Sequence, residues 1–261
     1  MRTARQTIEL FHLLFLRALT AKADDKRLVA LKGGCNLRFY FGSVRYSEDM
    51  DFDVSVISQG TLANRIDRLL QSPALTSPLR AKGIAIIDSS KPKQTETTQR
   101  WKIGLHAESN QIDLRTKIEF SRRDDLEGVA FEATAREIMR PYGEPAILAT
   151  HYGTAAAIAQ KVHALAKRTA PQARDVFDLN LLLARTDAQA VKLDSSQRAF
   201  VPQAMDNALA LSFDEYNSQV VAYLEPSQAE AFDDADAWNS MVESVVDRLG
   251  ALRAGGARER Q

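Results

Sequence analysis

Acidic side chains alternate with apolar ones in a short stretch of this chain that leads into a β-branched run. Asp49 and Asp51 stand two positions apart, so in a strand they point to the same face with Cα atoms about 6 to 7 Å apart. Carboxylates at this spacing can hold divalent cations, and paired metal ions support in-line displacement at phosphorus. The pair therefore predicts a metal site for phosphoryl or nucleotidyl transfer, against the plainer alternative of solvated carboxylates at a strand edge.

Asp53 continues the same alternation. Three like charges on one face disfavour ionisation unless a cation offsets their repulsion. Because Asp53 lies about 13 Å along the strand from Asp49, it is too far away to share the same metal. We expect Asp53 to be the partner of a nearby basic side chain instead.

A two-metal site of this kind usually needs a third acid from a neighbouring strand. Residues 112–120 alternate apolar and charged side chains with a period of two, which is typical of a half-buried strand. Glu119 and Asp113 both lie on its charged face, and we favour Glu119 as the third metal ligand. Lys117 and Arg115 share that face, so the alternative is that these acids form ion pairs with the two basic residues and bind no metal.

Residues upstream of the acids have types that suit phosphate binding. Gly33 and Gly34 follow a short apolar segment, and their missing Cβ atoms let a phosphate approach backbone N–H groups at a helix start. Arg45 could hold a phosphate or a carboxylate in a two-pronged contact, and Ser47 could bond to phosphate or fix Asp49. Each feature taken alone also fits an ordinary turn or a surface loop.

A second set of charged residues lies on two predicted helices. Lys161 and Arg168 are two turns apart on one helix face, an arrangement that leaves room for a phosphate chain between two cations. Asp175 and Asp178 are one turn apart at the start of the next helix. Solvated surface charge is the alternative for the two cations, and helix capping is the alternative for Asp175.

The composition describes an ordinary globular protein of one large or two small domains. Its 261 residues include 34 basic and 34 acidic side chains, so no overall field draws it toward nucleic acid. The single cysteine, Cys35, excludes an intramolecular disulfide, which favours a reducing cytoplasm. No apolar run is long enough to span a membrane, and neither zinc-ligand spacing nor a hydrolase triad is present in the sequence.

Hydrophobic periodicity predicts an α+β protein that begins with an amphipathic helix. A mixed β-sheet core is expected in residues 1–145, an all-helical half in 146–252 and a flexible tail in 253–261, because prolines mark the change in composition. Predicted strands are residues 28–31, 51–56, 84–88, 100–106 and 112–120. Predicted helices include 36–41, 62–70 (closed by Pro73 and Pro78), 154–168, 174–185, 206–211, 216–224 and 229–252.

Taken in order, these motifs resemble those of the AbiEii/AbiGii toxin family, which belongs to the DNA polymerase β-like nucleotidyltransferase superfamily and is similar to the MenT toxins. The resemblance covers roughly residues 28–185. It rests on KGG at 32–34, RYSEDMD at 45–51, KIEF at 117–120, KVHALAKR at 161–168 and RDVFDL at 174–179. Cys35 departs from the Thr or Ser that usually follows the glycine pair, and loss of that hydroxyl would weaken phosphate binding.

The resemblance implies a nucleotidyltransferase core and Mg²⁺-dependent transfer of a nucleotide from an NTP to an acceptor, which in some relatives is the tRNA 3′ end. Asp49 and Asp51 would be magnesium ligands, and Lys161 would contact the nucleotide phosphates. Asp175 and Asp178 would complete the acidic helix motif, with Asp175 as a candidate base. Toxins of this kind are usually encoded with an antitoxin that carries a DNA-binding domain.

Two other functions fit the same residues. The acids would equally serve a small-molecule nucleotidyltransferase of the antibiotic-modifying kind, and the fold could also be a binding module without activity. Labelled NTPs offered with RNA or with aminoglycosides would separate the two enzymes. Calorimetric titration with NTP and magnesium would identify the inactive module.

Overall fold

The computed structural model describes residues 2–21, 28–108 and 111–255. Its contacts divide the chain into two compact units, Met1–Gly42 with Tyr46–Tyr152 and Ser43–Arg45 with Gly153–Gln261. The first unit thus extends past residue 145, where the prolines suggested a boundary. Of the tail expected at 253–261, residues 253–255 belong to the last helix, and the rest lies outside the described residues.

Within the described residues, the first unit is built on a mixed seven-stranded sheet, which confirms the predicted α+β class. The strand order is β3-β4-β5-β2-β1-β7-β6. The pairs β1·β7 and β2·β5 are parallel, and the other pairs are antiparallel. The strands are β1 (Val29–Lys32), β2 (Asp49–Val54), β3 (Ile84–Gln94), β4 (Thr98–Ala107), β5 (Ile112–Arg122), β6 (Val129–Ala133) and β7 (Leu148–Tyr152).

The first helix is the predicted amphipathic one. Helix α1 (Ala4–Leu19) starts with a capping box, in which the Thr3 hydroxyl accepts from the Gln6 N–H and the Gln6 side chain accepts from the Thr3 N–H. Phe11 and Phe15 of its apolar stripe are fully buried in the core. In the described part of the chain, no helix has the length and apolar character needed to cross a membrane.

The core of the sheet is formed by the alternating residues that the sequence identified. On β5, Ile118 and Phe120 are buried while Glu119 between them is not. The Phe120 ring stacks on Phe52 of β2 at a centroid distance of 5.0 Å and meets Trp101 of β4 edge-on at 5.8 Å. Such aromatic pairs add about 0.5 to 1.5 kcal/mol each beyond area burial. This packing fixes the register of β2 against β5, on which the geometry of the acidic residues depends.

Of the remaining helices of the first unit, α2 and α3 were predicted and α4 and α5 were not. They are α2 (Gly33–Phe41), α3 (Gln59–Gln71), α4 (Pro73–Ala81) and α5 (Arg136–Met139). The helix predicted at 62–70 ends at Gln71, just before Pro73, but a second helix follows at once, with Pro73 in its first turn and Pro78 inside it. Proline is well suited to a first helical turn, where its missing N–H would have no partner.

Two strands, β6 and β7, were not predicted from the sequence. The prediction that helix begins at residue 146 was wrong, because β7 runs beside β1 with Leu31 opposite His151. Strand β6 is an edge strand with largely exposed side chains. Neither strand is long, and an exposed edge strand does not show a regular apolar alternation.

The second unit is helical beyond its short Ser43–Arg45 segment. Its core includes Val162 and Leu165 of one helix, Val176 and Leu179 of the next, and the Trp238 ring stacked on Tyr216 at 4.5 Å. The helix predicted at 229–252 is divided in two near Asp233. The helices are α6 (Thr154–Lys167), α7 (Ala173–Leu183), α8 (Ser195–Arg198), α9 (Val201–Leu209), α10 (Phe213–Gln219), α11 (Pro226–Phe232) and α12 (Ala235–Gly255).

Candidate active site

The predicted acidic pair opens strand β2, and the neighbouring strand adds a third acid. In the parallel pairing of β2 with β5, Asp49 lies opposite Lys117 and Asp51 lies opposite Glu119. Residues directly opposite one another in a sheet share a face. Asp49, Asp51, Glu119 and Lys117 therefore form one cluster on the charged face of the first unit, which we call the acidic strand site.

Asp51 is the member of this site whose charge is least compensated. Burial raises the pKa of Asp51, and the charges of Asp49 and Glu119 add to that effect. The ammonium groups of Lys32 and Lys117 oppose it without cancelling it, so the pKa of Asp51 lies above its usual value. A carboxylate in this state gains stabilisation from any further cation that reaches it.

The other two acids of the site already have cationic partners. The Lys117 Nζ lies 2.7 Å from an Asp49 oxygen. The Arg100 Nε of β4 lies 2.6 Å from a Glu119 oxygen. Glu119 is adjacent to Asp51, whereas Asp113 pairs with the His106 ring at 2.8 Å. The register therefore favours Glu119 over Asp113 as the third acid.

The glycine corner lies directly against Asp51. Gly33 begins α2 with a φ of 67°, a left-handed conformation that side chains rarely adopt. A Cβ atom at this position would be 3.0 Å from an Asp51 carboxylate oxygen. Gly33 is thus required both by its backbone and by the close approach of Asp51, and Gly34 follows it in the first turn of α2.

Two neighbouring side chains, Ser47 and Cys35, contact the backbone carbonyl of Asp49. The Ser47 hydroxyl donates to the Asp49 carbonyl at 2.8 Å. This hydrogen bond corresponds to the second of the two roles suggested for Ser47, which was to fix Asp49. The Cys35 thiol lies 3.3 Å from the same carbonyl and 3.5 Å from the His12 ring. Burial raises the pKa of the Cys35 thiol, and nearby carboxylates add to the effect. Cys35 is accordingly a small buried residue in the first turn of α2.

Asp53 has the structural role expected of it. Its carboxylate is buried and accepts from the Lys32 Nζ at 2.5 Å and from the Tyr152 hydroxyl at 2.8 Å. The Arg123 Nε lies 3.2 Å away. The prediction that Asp53 would partner a nearby base is confirmed. Its partners hold β1, β2 and β7 together beside the acidic strand site.

The second unit contains a cluster of five charged side chains, largely buried except for Arg168, which we call the ionic cluster: Arg45, Lys161, Arg168, Asp175 and Asp178. The Lys161 Nζ lies 2.9 Å from Asp175 and 2.6 Å from Asp178. The Arg168 Nε donates to the other Asp175 oxygen at 2.8 Å. One Arg45 nitrogen contacts both Asp178 oxygens at 3.3 and 3.1 Å.

The electrostatics of the ionic cluster favour its charged state. Burial alone would raise the pKa of Asp178, but Arg45 and Lys161 outweigh burial and hold that pKa below its usual value. For Lys161, burial lowers the pKa, and the charges of Asp175 and Asp178 outweigh it and raise the pKa. Three cations face two carboxylates, so one positive charge is left without a matching acid inside the cluster.

Comparison with known proteins identifies the family. A family model described as "Nucleotidyl transferase AbiEii toxin, Type IV TA system" matches residues 14–251. The chain belongs to the AbiEii family. The resemblance inferred from the sequence motifs is thereby confirmed, and AbiEii is a nucleotidyltransferase family of toxin–antitoxin systems.

Solved structures support the fold of this AbiEii chain. A candidate nucleotidyltransferase from H. pylori is 19% identical, with 97% of this chain and 99% of that chain covered and a TM-score of 0.62. JHP933 from Helicobacter pylori is 17% identical over 100% of both chains with a TM-score of 0.60. None of the curated proteins compared with the chain matches it. At such low identity these likenesses concern the fold alone.

The AbiEii motifs predicted from the sequence are distributed over both units. The first unit brings together Gly33, Asp49, Asp51 and Glu119. The second unit gathers the predicted nucleotide-binding residues Arg45, Lys161, Arg168 and Asp178 with Asp175. Asp175 accepts hydrogen bonds on both of its oxygens and has no exposed surface, so the geometry offers no support for a role as base.

The acids of the acidic strand site fit a hard divalent cation by their chemistry. Carboxylate oxygens are the ligands that Mg²⁺ prefers. The negative charge of Asp51 is only partly compensated by the neighbouring lysines. Among the described residues, however, no three His, Cys, Asp or Glu side chains are arranged to hold a metal ion. One Asp49 oxygen contacts the Lys117 ammonium at 2.7 Å.

Some residues with clear roles were not assigned by the sequence analysis. Lys32 was noted only as part of the KGG motif, yet it binds Asp53 and lies opposite Asp51. Tyr152 and His12 had no assigned role at all. Each contacts residues more than 20 positions away, and a single sequence carries no signal for such contacts. The position of Lys32 directly before the glycine pair was the one available indication.

Proposed function

We propose that this AbiEii chain is an Mg²⁺-dependent nucleotidyltransferase that moves a nucleotide from an NTP to an acceptor, with the tRNA 3′ end as the proposed acceptor. The observation that carries the proposal is the placement of Asp49 and Asp51 on one face of β2, with Gly33 in contact with Asp51. Asp49, Asp51 and Glu119 are the residues that would hold Mg²⁺. Bound there, the ion supplies Lewis-acid stabilisation of negative charge on phosphate oxygens.

The transfer is an in-line displacement at the α-phosphorus of the NTP. An acceptor hydroxyl oxygen forms a bond to that phosphorus while the bond to the oxygen that bridges to the β-phosphate breaks, and pyrophosphate leaves. The hydroxyl proton passes to a nearby carboxylate or to water as the new bond forms. The chain contributes position and charge and forms no covalent intermediate with the nucleotide.

Each unit contains residues whose chemistry suits nucleotide phosphates. Backbone N–H groups of Gly33 and Gly34 at the start of α2 suit phosphate oxygens. Ser47 acts through the Asp49 backbone, as its hydrogen bond indicates. In the ionic cluster, Arg168 is the most exposed cation at 37% of its side-chain surface. The accessible Arg168 guanidinium shares Asp175 with Lys161, and Arg45 shares Asp178 with Lys161, so three cations stand together in this cluster and support phosphate binding there.

The biological setting of the proposal follows from the family. A toxin of a toxin–antitoxin system is expected to act in the cytoplasm, where NTPs and tRNA are found, and to be encoded with an antitoxin that carries a DNA-binding domain. The proposal that tRNA is the acceptor rests on the resemblance of the sequence motifs to those of the family. The antitoxin rests on the family description, which names a type IV system.

Transfer assays with labelled nucleotides test this function. The protein would be incubated with each α-³²P-labelled NTP, Mg²⁺ and purified tRNA, and in parallel with aminoglycosides. We expect label on tRNA, loss of labelling with Asp49→Ala, and loss on removal of Mg²⁺ by EDTA. Label on the aminoglycoside alone would move the assignment to a small-molecule enzyme. No labelling, combined with no calorimetric NTP binding, would leave an inactive scaffold and refute the proposal.

A further inference from the structure

Lys117 occupies a special position in the acidic strand site. Its Nζ lies 2.7 Å from an Asp49 oxygen, and its charge also lowers the pKa of Asp51. It stands directly opposite Asp49 on β5, two positions before Glu119, which lies opposite Asp51. The Lys117 ammonium therefore acts on both proposed metal ligands of β2, and Lys32 acts on Asp51 as well.

The bond between Lys117 and Asp49 has the properties of a replaceable contact. The Lys117 side chain is 28% exposed and the Asp49 side chain 38% exposed. Ion pairs this accessible to water contribute little net stability and are readily screened. The buried pairs of Asp53 are different, because the Asp53 side chain is only 3% exposed. Lys117 can therefore leave its carboxylate without a large loss, whereas departure of Lys32, whose side chain is 18% exposed, would leave the buried Asp53 carboxylate without its short contact.

We propose that Lys117 is a resident counter-ion of the acidic strand site, which neutralises Asp49 while no metal is bound and gives way when a divalent cation arrives. This inference rests on the proposed function, since it takes Asp49 and Asp51 to be metal ligands. It assigns to Lys117 a positioning role toward the metal site. The exchange explains how three acids can stand together in the protein before the metal is bound.

The exchange has a measurable consequence for metal affinity. A divalent ion that enters the site must displace the ammonium group from Asp49 or tolerate its positive charge a few ångströms away. Removal of that charge should tighten metal binding by on the order of tenfold at low ionic strength, with a smaller effect in high salt. A purely structural lysine would show no such change.

Mn²⁺ binding to two matched variants tests the inference. Lys117→Met removes the counter-ion and keeps the side-chain length. Lys102→Met is the control, because Lys102 lies opposite Lys117 on β4, is exposed, and within the described residues forms no ion pair. Free Mn²⁺ would be measured by electron paramagnetic resonance in titrations of the full chain without nucleotide, after circular dichroism has shown that each variant is folded.

The outcomes separate this inference from the proposed function. A dissociation constant for Mn²⁺ about tenfold lower in Lys117→Met, and changed less than twofold in Lys102→Met, supports the exchange. Equal or weaker binding by Lys117→Met overturns it and leaves the metal site standing. The same tightening in both variants also overturns it, since general charge would then be the cause. Absence of Mn²⁺ binding in the wild type as well as in Lys117→Met overturns the metal site itself.

A second measurement uses the wild-type protein and does not depend on the folding of a variant. Reductive methylation by formaldehyde and borohydride, followed by peptide mass spectrometry, reports how available each lysine is. Saturating Mg²⁺ should increase the methylation rate of Lys117 severalfold, because its ammonium group is released from Asp49, and should leave Lys102 unchanged. An unchanged or slower rate at Lys117 would contradict the exchange.

Discussion

At the scale of single residues, three aspartates at alternate positions of β2 occupy three different environments. Asp49 has an accessible partner in Lys117, Asp51 has a pKa raised by burial, and Asp53 is buried between cations. Sequence spacing predicted that all of them share a face, and it correctly separated Asp53 as the partner of a base. Spacing could not show which of Asp49 and Asp51 is better compensated by positive charge, because that depends on neighbours in adjacent strands.

These environments give opposite expectations for two conservative substitutions. Asp51→Asn removes a charge that folding disfavours at pH 7, so the variant should be at least as stable as the wild type while nucleotide transfer is lost. Asp53→Asn leaves the largely buried Lys32 ammonium without its carboxylate and should lower the free energy of unfolding by about 3 kcal/mol. Urea unfolding at pH 7 measures both. A clearly destabilised Asp51→Asn protein would contradict the environment assigned to that residue.

His12 makes the stability of the first unit depend on pH. Burial lowers the pKa of His12 to about 3, and its ring contacts Thr116 at 2.7 Å. Since the Thr116 hydroxyl donates to the Glu48 carbonyl, His12 donates through Nε2 and is neutral. The unfolded chain takes up a proton below pH 6.5 and the folded protein does not, so stability is complete above that pH and declines by about 1.4 kcal/mol per unit below it.

The variant His12→Gln tests this dependence, because an amide can keep the hydrogen bond to Thr116 and does not titrate. Between pH 7.5 and pH 5.5, the wild type should lose about 1 kcal/mol more unfolding free energy than the variant. His163 is exposed on α6, and His163→Gln is the control. Identical pH dependence in the wild type and His12→Gln would show that His12 can be protonated in the folded state.

At the scale of elements, the connection from β2 to α3 contains a strained turn. Val56 has a φ of 65°, and the Ile57 N–H donates to the Ser55 carbonyl at 2.7 Å, which defines a γ-turn centred on Val56. A β-branched residue in this conformation is an outlier that costs about 1 to 3 kcal/mol. Because Val56 is 84% exposed, burial of its side chain does not offset this conformational strain.

Glycine at this turn should stabilise the protein. In Val56→Gly the relief of strain exceeds the loss of chain entropy in the unfolded state, and we expect a gain of about 1 kcal/mol in unfolding free energy. Val54→Gly, at a buried position of β2, is the control and should be strongly destabilised. Thermal unfolding followed by circular dichroism compares the two. A fall in the melting temperature of Val56→Gly would mean that Val56 makes a stabilising contact that its exposure does not reveal.

Elements were predictable where periodicity was strong. Helix α1 and strand β5 follow regular apolar repeats, and both were found near their predicted bounds. The start of α4 was missed because proline was taken as a stop, although it is also a first-turn residue. Strand β7 was missed because it is short and directly precedes a long alanine-rich helix. Local pattern therefore identified long elements and failed at short ones.

At the scale of the whole molecule, the ionic cluster could not have been derived from the sequence. It joins residues from three separate segments, and Arg45 and Asp178 are 133 positions apart. The sequence indicated that Lys161 and Arg168 share a helix face and that Arg45 could hold a carboxylate. That the two carboxylates of α7 contact all three cations depends on helix packing in the second unit, which local pattern does not specify.

The ionic cluster should contribute strongly to the stability of the second unit. Asp178 has no exposed side-chain surface and contacts both Arg45 and Lys161. Asp178→Asn leaves these cations uncompensated and should lower the free energy of unfolding by about 3 to 5 kcal/mol at pH 7. Asp187→Asn is a matched control in the same unit, because Asp187 is 51% exposed and its loss should cost less than about 1 kcal/mol.

The pH dependence identifies the cause of this stabilisation. Because the pKa of Asp178 is lowered in the folded protein, its contribution is complete above the unfolded-state pKa of about 3.9 and is lost as the pH falls through the folded-state value. The difference between the wild type and Asp178→Asn should therefore be constant from pH 5 to 7 and shrink at lower pH. Hydrogen exchange measured by mass spectrometry should show the loss of protection in peptides of α6 and α7. A variant that retained wild-type protection in those helices would show that the second unit does not depend on the buried charges.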